Sequence, residues 1–192
     1  MVEVKVEGVE KVSQTMKKFR SDLKGENFKK MTEASVYLMN YVQRNKLSGQ
    51  VLKRRTGRLV GGMGYTVKDE YGNIVGRVGD KVVYAAIHET GGTIRPKTAK
   101  FLTIPLAAAL TPAGVLRKPA RQWNNTYVAG GIIWQAKEKG QMSIPLFVLK
   151  RSVKIPARPY MGPALEETKE HIFKILGQAV ETAVTIANRG HG

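Results

Sequence analysis

The stretch SIPLFVLKRSVKIPARPYMGPAL, residues 143–165, contains a strand, a stiff link and the start of a helix, in that order. Its first half is typical of a strand, with a proline near the start, where it does not interrupt the ladder. Pro156 and Pro159 lie on both sides of Arg158 and favour an extended, fixed backbone there. The stretch therefore predicts a last strand that leads directly into a C-terminal helix, and the fold class follows from how the other strands are joined.

Apolar side chains at helical spacing predict three long helices. The first spans residues 9–23 and follows a short alternating strand at 2–8. Gly25 is expected to end it, and a second helix is expected over residues 27–46. The third is the C-terminal helix. Its predicted apolar stripe consists of Leu165, Ile172, Leu176, Ala179, Ala183 and Ile186.

The middle of the chain predicts an antiparallel sheet. Two alternating runs flank Tyr71-Gly72-Asn73, which is a hairpin signal. VVYAAIHETGG predicts a short helix that ends at a glycine pair, and KFLTIPL predicts a strand. Residues 107–142 are the least regular part, and GGIIWQAKEKG within them suggests a strand or hairpin. We therefore expect one α+β domain over residues 1–192. It would have an antiparallel β-sheet, two N-terminal helices and a C-terminal helix, with 107–142 as a long irregular excursion, an extended loop or hairpin insertion.

Composition excludes several classes of protein. The chain has 192 residues and 42% apolar side chains, enough for a core. It has no cysteine, which excludes disulfides, thiolate metal sites and a cysteine nucleophile. The N-terminal residues alternate and are charged, unlike a secretory signal, and the longest apolar run is too short to span a bilayer. We expect a protein that is made in the cytoplasm and has no membrane partner.

The net charge of +17 implies a polyanionic neighbour or a solvated basic surface. The charge is uneven along the chain. Between Glu89 and Glu166 the only acidic residue is Glu138, against 12 basic residues. Nucleic acid, an anionic membrane surface and an acidic protein all suit such a segment.

Signals for catalysis are weak. His88 and Glu89 begin a pattern like that of a zinc protease, but the second histidine is missing. Nothing in the sequence positions His88, Glu89 and Arg95 as a nuclease, and the glycines of TGRLVGGMG lack the phosphate-binding pattern. We expect no enzyme activity, no metal and no cofactor.

Nucleic-acid contact is favoured by basic residues with aromatic residues between them. Trp123, Tyr127 and Tyr160 are the candidates for stacking on bases, although packing is the commoner use of such residues. Known binding motifs are missing, so any contact should be to the phosphate backbone and blind to sequence. The candidate DNA-facing basic residues are Lys118, Arg121, Lys150, Arg151 and Lys154.

Five segments, in order, resemble one protein family. They are RTGRL (Arg55–Leu59), YAAIHETGG (Tyr84–Gly92), IRPK (94–97), FLTIPL (101–106) and IPARPYMGPAL (Ile155–Leu165). In this order they resemble the virion-morphogenesis and tail-completion (neck or minor tail) proteins of long-tailed double-stranded DNA phages, the Mu G-like proteins and their tail-component relatives. The resemblance covers roughly residues 30–170, although many members are shorter at 107–142.

The resemblance implies a structural virion protein at the head–tail junction or the proximal tail, helping to finish the tail and join it to the head. It implies a homo-oligomeric ring, with sixfold symmetry as the expectation. The neighbours would be connector and tail-tube or tail-terminator proteins, and DNA would pass through the channel. The expected subunit or partner contacts are Arg55, Thr56, Gly57, Arg58, Leu59, His88, Glu89, Arg158 and Tyr160. The alternative is a basic, sequence-nonspecific nucleic-acid-binding protein.

Overall fold

The computed structural model describes residues 9–138 and 141–189. The predicted strand at 2–8 lies outside these residues. The helices are α1 (Val9–Asn45), α2 (Arg58–Gly62), α3 (Ala85–Thr90) and α4 (Met161–Arg189), with single 3₁₀ turns at Ala107–Ala109 and Ala120–Gln122. The strands are β1 (Met63–Glu70), β2 (Asn73–Asp80), β3 (Gly92–Ile94), β4 (Leu102–Pro105), β5 (Thr126–Ala129), β6 (Ile132–Gln135), β7 (Ile144–Lys150) and β8 (Val153–Ile155).

Every strand pair is antiparallel among the residues that the structure describes, and the chain has an α+β fold as predicted. The internal contacts divide the chain into two compact units. The helical unit comprises the described parts of 1–48, 62–81 and 160–192, and the sheet unit comprises those of 49–61 and 82–159. A single domain over residues 1–192 stays a prediction.

The predicted break at Gly25 is wrong, because α1 is one helix of 37 residues that runs through it. A glycine inside a helix lowers the stability of the helix by about 1 kcal/mol relative to alanine. Tertiary contacts on both sides offset that loss. Lys24 Nζ lies 2.5 Å from an oxygen of Asp69, and Lys30 Nζ donates a 3.0 Å hydrogen bond to Gln178 Oε1.

The C-terminal helix α4 is present, but its buried face differs from the predicted stripe. Ala179 and Ala183 are buried as expected, whereas Leu165 is 47% exposed. The fully covered positions are Ala164, Thr168, Ile175, Ala179 and Ala183. Thr168 is missing from the predicted stripe because threonine is polar. It can be buried because its hydroxyl donates a 2.8 Å hydrogen bond to Ala164 O inside the helix.

Ionic contacts join the two long helices of the helical unit. Lys46 Nζ lies 2.6 Å from Glu167 Oε1, and the hydroxyl of Tyr41 donates a 2.7 Å hydrogen bond to Glu167 Oε2. The hydrogen bonds from Lys46 and then from Tyr41 hold the pKa of the Glu167 carboxyl below its usual value. None of the helices within residues 9–138 and 141–189 has an apolar stretch long enough to cross a bilayer.

The hairpin β1–β2 is confirmed, with Glu70 paired to Asn73 around Tyr71 and Gly72. It packs on α1 at Gly76. A Cβ at that position would lie 2.6 Å from Ser35 Oγ and 2.8 Å from Met31 Sδ. A side chain at this position would force Ser35 and Met31 to move, so glycine favours this close approach of strand to helix.

Tyr71 at the hairpin tip has a φ of 55° and a fully exposed side chain. A left-handed conformation is unfavourable for tyrosine by about 1–2 kcal/mol, whereas asparagine tolerates it. We expect Tyr71→Asn to stabilise the hairpin by about 0.5–1 kcal/mol. Native-state hydrogen exchange at the β1 and β2 amides measures this, with Tyr71→Ala as the matched control. Equal protection in the two variants would contradict the explanation.

The sheet unit contains a four-stranded sheet of order β4-β7-β6-β5 and a separate pair, β3-β8. The predicted strands at KFLTIPL and SIPLFVLKRSV are confirmed, and so is a hairpin in 107–142. Residues 107–142 supply β5 and β6, and Ala109 joins Leu146 and Phe147 in the buried cluster. That this segment is an insertion stays a prediction.

Candidate functional site

Two of the sequence motifs meet in the sheet unit. The backbone N–H of Arg158 donates a 2.7 Å hydrogen bond to His88 O, at the end of the short helix α3. Immediately beyond, Gly92 of β3 pairs with Ile155 of β8. HETGG and IPARP therefore form one local structure, although about 65 residues separate them in the chain.

Gly91 makes this meeting possible. Its φ of 69° and ψ of −176° lie in a region that is essentially restricted to glycine. A Cβ at Gly91 would lie 2.7 Å from the backbone nitrogen of Ala157 and 3.1 Å from Ile155 O. Backbone atoms cannot move aside as the end of a flexible side chain can, so any other residue at this position would strain the junction.

His88 and Glu89 are half-buried on α3, and the side chain of Arg158 is exposed. The Tyr84 ring meets the imidazole of His88 edge-on, with 5.9 Å between ring centroids. This packing gives His88 a structural use. In the described part of the chain, no three histidine, cysteine or acidic side chains come together where they could hold a metal ion.

The position of Tyr160 differs from the prediction that it stacks on a base or contacts a partner. Its side chain is 1% exposed, so its ring is not at the surface and cannot do either. The Trp123 ring is used in packing. It packs edge-on against Phe147 in the core, and its indole N–H donates a 3.1 Å hydrogen bond to Lys118 O. Tyr127, 45% exposed on β5, keeps an available ring.

The RTGRL segment forms a surface loop that leads into α2. Arg55, Thr56 and Arg58 are exposed, and Leu59 is half-buried. Thr56 Oγ1 accepts a long, 3.4 Å hydrogen bond from the N–H of Arg58, where α2 begins. Gly57 has a φ of 73°, which favours glycine in this loop. The structure therefore presents this loop at the surface of the sheet unit.

The predicted basic residues fall into two groups. Lys118 and Arg121 precede Trp123 in the chain, and the Lys118 ammonium lies 4.5 Å from the centre of the indole ring. Lys150, Arg151 and Lys154 follow one another through the turn from β7 to β8 and are exposed. Sequence reasoning missed Arg117, although it adjoins Lys118 in the run RKPAR.

Positive charge is concentrated in the sheet unit. Residues 49–61 and 82–159 contain 16 basic and 2 acidic side chains, a formal charge of +14. The remaining 16 basic and 13 acidic side chains give the helical unit only +3. Two carboxylates can neutralise few of 16 cations, so the sheet unit has a strongly positive surface.

No family model, no curated protein and no solved structure matches this chain.

Proposed function

We propose that this chain is a structural protein of a tailed phage virion. It would form a ring at the head–tail junction or proximal tail, where it completes the tail and joins it to the head. The observation that supports this most is the meeting of HETGG and IPARP through the His88–Arg158 hydrogen bond, because both segments resemble motifs of the tail-completion family. RTGRL, IRPK and FLTIPL lie in the same sheet unit.

A ring of identical subunits needs two different complementary patches on each subunit. Patches held rigidly before binding lose little entropy on assembly. The 155–158 segment has such rigidity, since β-pairing, Pro156 and the bond to His88 fix its backbone. Arg158, with its planar guanidinium exposed, suits a carboxylate on the next subunit or on a connector or tail-tube protein.

The test is the mass and symmetry of the assembly. We expect the chain to form a closed ring, sixfold in symmetry, alone or with a connector or tail-tube partner. Native mass spectrometry measures the subunit number, and electron cryomicroscopy of tailed particles made in the host cytoplasm locates the chain at the neck. A chain that stays monomeric with each partner and is missing from purified virions would refute the proposal.

A second candidate is a sequence-nonspecific nucleic-acid-binding protein, which the +14 charge of the sheet unit favours. Such a protein would bind DNA or RNA as a monomer or dimer, with strong salt dependence. The same mass measurements distinguish the two candidates, because only the virion protein requires a closed ring.

A further inference from the structure

The sheet unit contains a tight turn at residues 110–116, and basic side chains lie on it. Leu110 and Leu116 pair across it, and Thr111 N donates a 2.8 Å hydrogen bond to Val115 O. Gly114 N donates a second 2.8 Å bond to Thr111 O, and the Thr111 hydroxyl accepts one from Val115 N. The backbone of residues 110–116 is therefore held by its own hydrogen bonds.

Two arginines from distant parts of the sequence lie at this turn, and one of them is held there by a short hydrogen bond. Arg117 Nε donates a 2.8 Å hydrogen bond to Leu110 O. Arg55 of the RTGRL loop lies against Gly114, with a long 3.5 Å bond from Nη1 to Gly114 O. Both side chains are exposed. A carbonyl acceptor orients a guanidinium but leaves its full charge, and most of its five N–H donors remain for an anion.

The surroundings strengthen the positive potential at this turn. Lys118 follows Arg117, and its ammonium lies over the Trp123 ring, which limits its motion. The turn itself consists of Thr111, Pro112, Ala113 and Gly114, whose side chains are short enough to let a polymer backbone approach. We call Arg55, Arg117 and Lys118 the turn cluster.

We propose that the turn cluster binds the phosphate backbone of duplex DNA without reading its sequence. The planar forks of Arg117, oriented by its bond to Leu110 O, and of the adjacent Arg55 match phosphate oxygens. Duplex DNA presents about one negative charge per 1.7 Å of axis, a density that suits a unit with so few carboxylates of its own. The DNA would be the phage genome, so this binding rests on the proposed virion role. The proposal assigns the basic surface to DNA rather than to an acidic protein.

The experiment measures binding of the full chain to a fluorescent mixed-sequence duplex over a series of salt concentrations. Each phosphate contact contributes about 0.9 to the slope of log K against log salt. We expect Arg55→Gln with Arg117→Gln to reduce that slope by roughly 1.8, equally for unrelated sequences. The matched control is Arg20→Gln with Lys174→Gln, which removes two exposed cations of the helical unit and should leave the slope unchanged. Circular dichroism checks that both variants fold.

Three outcomes would overturn the inference. The first is no binding of the duplex at low salt. The second is an equal fall in slope in the two double variants, which would mean that general charge and not the turn cluster binds DNA. The third is tighter binding of labelled polyglutamate than of duplex at equal salt, which would assign the cluster to an acidic protein. Ring formation is measured without DNA, so failure here is distinguishable from failure of the virion role.

Discussion

Gly91→Ala is expected to destabilise the junction of α3, β3 and β8 by about 2–3 kcal/mol. The backbone of Gly91 has a conformation that alanine rarely adopts, and the new Cβ would overlap the nitrogen of Ala157 at 2.7 Å. To relieve that overlap, β3 must separate from β8, and the hydrogen bond from Arg158 N to His88 O must lengthen. Native-state hydrogen exchange measures the loss directly at the amides of Gly92, Ile94 and Arg158.

The control is Gly61→Ala, an identical change in the same unit. Gly61 lies in α2, with an ordinary φ and no atom within 4 Å of an added Cβ. Alanine there should leave the junction amides as protected as in the wild type. Unchanged exchange in Gly91→Ala itself would mean that the two motifs do not depend on glycine to meet.

The elements predicted best were those with a local cause. Alternation on both sides of Tyr71-Gly72-Asn73 predicted β1 and β2, and the pair Gly91-Gly92 marked the end of α3. In each case a turn residue and the period of its flanking run determine the structure. The turn residues alone predict where these elements end, so a short window of sequence is sufficient for their boundaries.

The continuous helix α1 shows where such windows fail. Gly25 has a weak helix propensity, and a local rule predicts a break there. The partners that keep the helix intact, Asp69 and Gln178, lie about 45 and 150 residues away along the chain. No periodicity near Gly25 contains that information.

Within residues 107–142 the predicted hairpin is present, but the place of its strands in the sheet escaped prediction for a related reason. The strands β5 and β6 are only four residues long, which is too short for a clear period of two. Their place in the sheet comes from pairing of β6 with β7 across the chain, with a register shift between Ile133 and Trp134. Composition indicates an excursion with a strand or hairpin in it, but it contains no information about which strands pair.

For the candidate site, sequence order indicated which segments to compare but not how they meet. Arg158 and His88 belong to separate motifs, and the hydrogen bond between them is a backbone contact that no side-chain pattern encodes. Tyr160 was predicted to stack on a base or contact a partner, with packing as the commoner use of such residues, and its side chain is buried. An aromatic residue beside a proline is compatible with a buried or an exposed position, so the residues packed around it in the fold determine its burial.

The concentration of positive charge, in contrast, could be predicted along the sequence but not as a surface of one unit. The 12 basic residues between Glu89 and Glu166 predicted a positive region. The structure adds residues 49–61, with four more cations and no acid, to the same unit. The RTGRL loop thus belongs with the basic segment that follows 30 residues later. This association is what joins Arg55 to Arg117 at one turn.

Arg158→Glu is expected to leave the fold intact and to block assembly of infectious particles. Any residue other than proline can donate the backbone hydrogen bond to His88 O, and the side chain at 158 is exposed, so folding does not require arginine. At a subunit contact, however, the change would replace attraction with repulsion. Loss of a close charge pair at an interface weakens it by about 2–5 kcal/mol, and a closed ring repeats that loss at every contact.

Phage titre, together with the subunit number from native mass spectrometry, measures the effect. Arg20→Glu makes the same change of charge at an exposed position on α1 and should give normal rings and a normal titre. Arg158→Lys keeps the charge but not the planar fork, so an intermediate defect would indicate that a bidentate partner is recognised. A normal titre and normal rings with Arg158→Glu would leave the 155–158 segment as a plain link between β8 and α4. In that case the ring contacts would have to come from other surfaces, with the RTGRL loop as the next candidate.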